Sequence, residues 1–308
     1  MKGRDLEIKH RESFKEGILR LLDELHDESA KYAIARSRQH ISVHELRKNI
    51  KKIRGILRLL RHEIGRDKYL HLNGMYREIA QKVAVLRDDT SQIELLESMQ
   101  KKVDNSKINR AISKAIRQVE KKRKEEFSEF YKRNRHYSVC YDILAVKEVI
   151  RELDFSGDPD YFILKSLKRI HKRARSAWEI SGFVKTDEIY HYWRKQVKYL
   201  MYQLTVLNLA WPGYFRAYIS ELNKLSGLLG DLHDLNLFNE HINKEKLVVL
   251  KPHQKKSLLK YIYRKRSNLK NKIEQVGETL FSESSEAFSM RIYDIWISSM
   301  QKKNDQQP

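Results

Sequence analysis

Two segments of the chain place a histidine ahead of lysines and arginines at one helical spacing. The first begins at His44 and continues with Arg47, Lys48 and Lys51. Residues three, four and seven apart lie on neighbouring faces of one helix. Each segment therefore predicts a helix with a cationic stripe, which a long anion could bridge. The second segment repeats the spacing with His191, Arg194, Lys195 and Lys198.

The first stripe lacks the acids that usually balance a solvated helix face. Apolar residues at steps of three and four, from Leu46 to Ile64, predict a buried face beside it. Residues 44–61 contain seven Lys or Arg and one acid, Glu45. Like charges one turn apart repel each other, so a bound anion would relieve that cost, although a solvated basic face is the alternative. The candidate anion-binding residues of this helix are His44, Arg47, Lys48, Lys51, Lys52, Arg54 and Arg58.

The charge of the chain indicates a polyanionic partner. The net charge is +21 over 308 residues, which informs about partners and not about fold. Nucleic acid, an anionic membrane surface and polyphosphate all fit this charge. The single cysteine, Cys140, favours a reducing, cytoplasmic setting, and we expect neither a secretory signal nor membrane insertion.

The scarcity of glycine and proline predicts an all-α fold. Only 11 Gly and 4 Pro occur, and apolar residues recur at helical spacing. In the first half, with Ser42 as the N-cap of the stripe helix, helices are predicted at about 5–38, 42–64, 67–99, 106–135 and 141–151. In the second half, helices are predicted at about 159–181, 186–209, 213–242, 252–277 and 284–301.

The chain is predicted to be one domain made of two similar halves. Residues 155–159, which include a glycine and a proline, predict a linker between residues 1–154 and 155–308. The segment Val85-Leu-Arg-Asp-Asp89 recurs as Asp231-Leu-His-Asp-Leu235, at nearly the offset that separates the two stripes. Two landmarks at one offset indicate duplication. We predict two antiparallel four-helix bundles related by a pseudo-two-fold axis.

These motifs, in this order, resemble those of the CHAD family, the conserved histidine α-helical domain. The family pattern is a His-x-x-Arg helix with further basic residues in each half, followed by a Leu-Arg-Asp or Leu-Gly-Asp-Leu-x-Asp turn of helix. The chain matches this pattern at His44 and Arg47, Leu86-Arg87-Asp88, His191 and Arg194, Leu229-Gly230-Asp231 and Asp234.

The resemblance implies a basic surface, shared by the two bundles, that binds inorganic polyphosphate without catalysis or a cofactor. It also implies a role at polyphosphate granules. Tyr199 and Met201 stand where the family usually has basic residues, which predicts a weaker second stripe. Residues 165–175 contain six Lys or Arg and no acid, and are expected to compensate. The candidate binding residues of that segment are Lys165, Lys168, Arg169, Lys172 and Arg173.

Three roles remain open for His44 and His191: metal ligand, phospho-acceptor, or polar contact to an anion or the backbone. His40 lies four residues before His44, a spacing that suits a metal only where both are helical. Ser42 as N-cap places His40 outside the helix, so we expect no metal site and favour the polar contact.

The acids of the second landmark are expected to support the stripes. Asp88, Asp231 and Asp234 would pair with stripe arginines and orient them, with Arg87 beside them. Asp88→Ala should then weaken polyanion binding. His233-Asp234 also resembles part of a metal phosphohydrolase motif. The alternatives to polyphosphate binding are therefore sequence-independent nucleic-acid binding and a metal-dependent phosphohydrolase.

Overall fold

The computed structural model describes residues 6–9, 12–154, 159–244 and 250–304, and it confirms the all-α prediction. The described chain has no strand, and no helix in it has an apolar stretch that could cross a bilayer. A short 3-10 helix spans Asn208–Ala210. The α-helices are α1 (Phe14–Ile34), α2 (Gln39–Leu59), α3 (Arg61–Ile64), α4 (Arg66–Lys82), α5 (Ala84–Lys102), α6 (Ser106–Lys132), α7 (Arg135–Arg151), α8 (Pro159–Phe183), α9 (Asp187–Val206), α10 (Pro212–Asn243), α11 (Pro252–Phe281) and α12 (Ser285–Asn304).

Local signals in the sequence explain several helix ends. Ser13 and Glu16 form a reciprocal capping box at the start of α1. The side-chain oxygen of Asn105 accepts two backbone N–H groups at the start of α6. Gly65, at φ 82°, ends α3 in a conformation that favours glycine. The predicted linker residues 155–158 lie outside the described residues.

The start of the stripe helix corrects the sequence prediction. Helix α2 begins at Gln39, and Ser42 is a buried residue within it, not its N-cap. Arg38 precedes the helix with a φ of 47°, in the left-handed region. This turn leads the chain into the helix three residues earlier than the predicted N-cap position. His40 is therefore helical, contrary to the expectation.

Two of the predicted helices are each broken once. The helix predicted at 42–64 becomes α2 and α3, with the break at Leu60, and the helix predicted at 67–99 becomes α4 and α5, with the break at Val83. Both break residues are buried in the core. Neither is a glycine or a proline, so the signals used to predict helix ends could not locate these breaks.

Helices pair in the same order in both halves. In the first half α2 packs on α1 and α5, α6 packs on α5, and α7 returns to α1. In the second half α9 packs on α8 and α10, α11 packs on α10, and α12 returns to α8. The two stripe helices, α2 and α9, also pack on each other. The pseudo-two-fold axis and the division into two bundles stay predictions.

The hydrophobic core crosses the predicted boundary between the halves. Its main part joins apolar side chains of α1, α2 and α7 to those of α8, α9 and α12. A second cluster joins α5 and α6 to α10 and α11. Apolar packing between the halves therefore fixes the position of α2 against α9.

Helices α2 and α9 approach each other most tightly at Gly55. A Cβ atom added there would lie 2.9 Å from the Cβ atom of Tyr202 on α9, which is closer than real contacts allow. Glycine is needed at this position because the neighbouring helix occupies the space of a side chain. The close approach sets the distance between the two cationic stripes.

We expect Gly55→Ala to lower the free energy of unfolding by about 1–3 kcal/mol, because the added methyl group forces α2 and α9 apart. Gly74→Ala in α4 is the matched control, since an added Cβ atom meets nothing within 4 Å there. Alanine at that helical position should stabilise the protein by about 0.5–1 kcal/mol. Urea unfolding measures both changes, and equal effects would contradict the close approach at Gly55.

Candidate functional site

A cavity of about 790 Å³ lies between the two stripe helices. Helices α5 and α10 complete its walls. His44 and His233 line it, together with three carboxylates, those of Asp88, Glu94 and Asp234. Seven Lys and Arg side chains also line it, and they are Arg47, Lys48, Lys51, Lys52, Arg87, Arg194 and Lys198. We call this space the central cavity.

The helical period places these cations in the central cavity. Leu46, Ile50 and Ile53 of α2 are buried in the core, with at most 2% of each side chain exposed. The residues on the next face of the helix, including Arg47 and Lys51, therefore point along the edge of the core into the cavity. The cationic positions of α2 from 44 to 52 extend over about 12 Å at 1.5 Å per residue.

Backbone carbonyls orient the two leading arginines. Arg47 Nη1 donates to the carbonyl oxygen of Ala80 at 2.8 Å, and Arg194 Nε donates to that of Ser226 at 3.4 Å. A Cβ atom at residue 230 would lie 3.3 Å from the Nε and Nη2 atoms of Arg194. Gly230 therefore leaves room for the Arg194 guanidinium, which gives the glycine of the second landmark a physical role.

Several cations of the central cavity have no acid bound to them. Glu94 accepts a hydrogen bond from Arg87 at 2.8 Å, and Lys48 forms an ion pair with Glu45 at 3.1 Å. Within the described chain no ion pair forms at Arg47, Lys51, Arg194 or Lys198. Arg87 Nη1 is buried and has no hydrogen-bond partner among the described residues. Buried donors are nearly always satisfied, so this unpaired nitrogen is a further cost of gathering cations here.

The cations of the central cavity lower one another's affinity for protons. Burial, and then the charges of Arg47, Arg194 and Lys198, lower the pKa of Lys51 to about 8, although part of its side chain is exposed. Burial, and then Arg194 and Lys48, lower the pKa of Lys198. The protein therefore holds these ammonium groups at an electrostatic cost, which a bound anion would offset.

The family follows from a comparison with known domains. The family model of the CHAD domain matches residues 18–243, which is more than half of the chain. The chain belongs to the CHAD family. The match runs from α1 to the last residue of α10 and includes both stripes and both landmarks. A comparison with curated proteins gives no match.

The predicted stripe residues of this CHAD domain separate into distinct groups. Seven of them line the central cavity: His44, Arg47, Lys48, Lys51, Lys52, Arg194 and Lys198. Three others, Arg58, Arg169 and Arg173, line a small cavity near the end of α2. Those outside both cavities are Arg54, Lys165, Lys168, Lys172, His191 and Lys195.

The tyrosine that departs from the family pattern contacts a stripe arginine. The guanidinium carbon of Arg58 lies 3.8 Å from the ring centre of Tyr199, a cation–π geometry. Arg58 also donates to the carbonyl oxygen of Arg54 at 2.8 Å, and Arg54 donates to Asn73 at 3.0 Å. These contacts hold the last cations of α2 away from the central cavity.

The basic segment 165–175 does not supplement the central cavity, contrary to the expectation. None of its cations lines that cavity, whereas Arg169 and Arg173 line the small cavity with Arg58. Lys168 instead forms an ion pair with Glu286 at 2.8 Å. The cations of α2 and α5, together with those of α9, provide the positive charge of the central cavity.

His233, and not the predicted His191, lines the central cavity. His191 does not line the central cavity; its ring centre lies 4.9 Å from that of His233. Burial, and then His233 and Lys195, lower the pKa of His191 to about 4, so its ring is neutral at pH 7. His233 lines the cavity instead. The sequence shows only that His233 shares a helix face with Gly230, three residues earlier, and does not place that face in the cavity.

The predicted ion pairs between landmark acids and stripe arginines are absent from the described residues. Asp88 lines the central cavity. Burial lowers the pKa of Arg47, and the negative charge of Asp88 raises it. Asp88 therefore acts on Arg47 through its charge and not through contact. Asp231 does not line the cavity. Asp234 does, and burial raises its pKa. The expectation that Asp88→Ala disrupts an oriented arginine therefore loses its structural basis.

Acidic and histidine side chains do not converge on a metal-binding geometry in the ranges that the structure describes. No group of three or more His, Cys, Asp or Glu residues there could hold a metal ion. His40 and His44 are both helical, yet they line different cavities.

Lys51→Met should raise the free energy of unfolding at pH 7 by about 1 kcal/mol, after allowance for solvent screening. The pKa of Lys51 in the folded protein, about 8, lies below its ordinary value of 10.5. The unfolded chain therefore binds more protons between those two values, and this residue makes stability rise with pH there. This increase of stability with pH should be smaller in the Lys51→Met variant.

Chemical denaturation at pH 7 and pH 10 measures this effect. Lys256→Met on α11, an exposed lysine outside the central cavity, is the control for loss of one charge. A Lys51→Met protein that is less stable than the parent at pH 7 would contradict the repulsion described above.

Proposed function

We propose that this CHAD domain binds inorganic polyphosphate in the central cavity and does not catalyse a reaction on it. One observation supports the proposal most strongly. Seven Lys and Arg side chains from three helices face three carboxylates across one cavity. A charge distribution of this kind is costly in the free protein and favourable once an anion is bound.

The form of the central cavity favours a linear chain of phosphates. Guanidinium groups from α2, α5 and α9 can each donate two hydrogen bonds to phosphate oxygens, and the ammonium groups add point charges between them. Tyr202, the aromatic residue of the lining, is 7% exposed, so its ring offers no face on which a base could stack. A ligand without bases fits this lining better than a nucleic acid does.

The cellular role follows from the same chemistry. A domain that binds several phosphates of one chain would associate with polyphosphate granules. The lone cysteine fits a reducing, cytoplasmic location for that role. The association with granules and the cytoplasmic location both rest on the proposed polyphosphate binding.

Nucleic-acid binding is the second candidate because α6 has a separate exposed cationic face. Its residues recur at steps of three and four on one side of the helix. These residues, all exposed, are Lys107, Arg110, Lys114, Arg117, Lys121 and Lys124. A phosphate backbone could contact such a face without entering the central cavity.

Lys51→Ala combined with Lys198→Ala should weaken polyphosphate binding at least about tenfold, since charge-assisted hydrogen bonds contribute about 1.5–3 kcal/mol each. Lys256→Ala with Lys260→Ala removes the same charge from exposed positions of α11 and is the matched control. Titration calorimetry with polyphosphates of graded length measures the affinities. The dependence on salt should also become less steep by about one unit per lost phosphate contact.

Three results would contradict the proposal. The first is an equal loss of affinity in the two double variants. The second is displacement of long polyphosphate by RNA or DNA at equal phosphate concentration, which would favour the nucleic-acid function. The third is shortening of polyphosphate on incubation with the protein and Mg²⁺ or Mn²⁺, which would indicate a phosphohydrolase.

A further inference from the structure

A second cavity, of about 490 Å³, lies between the connection from α1 to α2 and the helix α6. None of the candidate residues from the stripes or from 165–175 lines it. No Asp or Glu is among its lining residues. Its basic lining residues are Arg36, Arg38, His40, Arg123 and Lys124. We call this space the second cavity.

The cations of the second cavity have no acidic partners in the described structure. Glu120 and Glu126 lie within one helical turn of Arg123 and Lys124, yet no ion pair forms with either acid. Arg38 likewise forms none. Within the described residues, the positive charge of this cavity is therefore not paired with acids, whereas three carboxylates line the central cavity.

Two features direct the positive charge of the second cavity towards a ligand. The guanidinium carbon of Arg36 lies 5.7 Å from the ring centre of Tyr131, and its Nη2 lies 3.4 Å from Nε2 of His136, so its position is fixed. The N-terminus of the 21-residue helix α2 opens at Gln39, and no side chain caps it. The helix dipole adds to the charge of the arginines there.

The aromatic residues of the second cavity exclude base stacking. Phe127 and Tyr131 form part of the lining, but they are 6% and 9% exposed. Their rings are packed against protein and present no open face to a nucleobase. The groups that remain available are guanidinium, ammonium, imidazole and backbone N–H, all of which bind phosphate oxygens.

The second cavity lies next to the central cavity along α2, towards the N-terminus of the helix. His40 lines the second cavity and His44 lines the central one. Four residues of α-helix separate them by about 6 Å along the axis. Steps of four and three continue from His40 through His44 and Arg47 to Lys51, so these residues of the two cavities lie on one side of the helix.

We infer that a polyphosphate chain long enough to fill the central cavity continues past the first turn of α2 and binds in the second cavity. This inference rests on the proposed function and specifies how binding depends on the length of the polyphosphate chain. A short polyphosphate occupies the central cavity alone. A long one contacts both sets of cations, and the second set then binds at the high effective concentration of a tethered ligand.

The test combines Arg38→Asn, Arg123→Gln and Lys124→Gln in one protein. Asparagine tolerates the left-handed backbone at residue 38, and Arg36 is kept because it contacts Tyr131. Thermal melting confirms that this variant folds.

The matched control removes the same three charges from exposed positions of α4 outside both cavities. It combines Arg66→Gln, Lys68→Gln and Arg77→Gln, so that both proteins lose two arginines and one lysine. Thermal melting is repeated on the control.

Affinities are measured for tripolyphosphate and for long-chain polyphosphate. We expect the second-cavity variant to bind tripolyphosphate within about twofold of the parent and the long chain about tenfold or more weakly. The control should lose much less affinity for the long chain.

Three outcomes overturn the inference and leave the proposed function in place. The long-chain affinity of the second-cavity variant could fall no further than that of the control. The affinity for tripolyphosphate could fall as much as that for the long chain, which would mean that the second cavity is not a separate subsite. RNA binding alone could be lost, which would assign the cavity to another ligand. If the parent protein binds neither probe, the proposed function itself fails, and the inference fails with it.

Discussion

The proposed function of this CHAD domain depends on one interaction, the repulsion among the cations that α2 and α9 bring together. Apolar packing between the halves and the close approach at Gly55 fix the two helices, so their cations cannot move apart. Burial and neighbouring charges lower the pKa of both Lys51 and Lys198. Hydrophobic burial offsets this electrostatic cost, and an anion that enters the cavity removes part of it. A stable fold that holds an unfavourable charge distribution is what the proposed binding site requires.

Much of the fold and part of the candidate site could be predicted from the sequence. The spacing of apolar residues predicts the helices, and the steps from His44 to Lys51 predict which cations share a face with one another. The sequence pattern could not show which second helix faces α2, because that depends on packing between distant segments. His233 and the pairing of Arg87 with Glu94 therefore appear only in the structure. The misplaced N-cap at Ser42 has a similar cause, since a left-handed turn at Arg38 starts the helix earlier.

Positive charge is distributed unevenly along α2. Its first turn lines the second cavity, its middle lines the central cavity, and Arg58 near its end lines the small cavity. The second stripe contributes fewer cations to the central cavity, and Tyr199, in a position that is usually basic in the family, packs under Arg58 instead. The two stripes therefore contribute unequally to the central cavity: α2 provides four of its Lys and Arg side chains, and α9 provides two.

The most direct test is the pKa of Lys51, measured by NMR on protein with ¹³C-labelled lysine, before and after polyphosphate is added. Burial and repulsion from the neighbouring cations predict a pKa of about 8 in the free protein. On binding, the pKa should rise towards the ordinary value, because the anion stabilises the charged ammonium. A pKa near 10.5 in the free protein would contradict the repulsion in the central cavity. A pKa that polyphosphate leaves unchanged would contradict the location of the binding site.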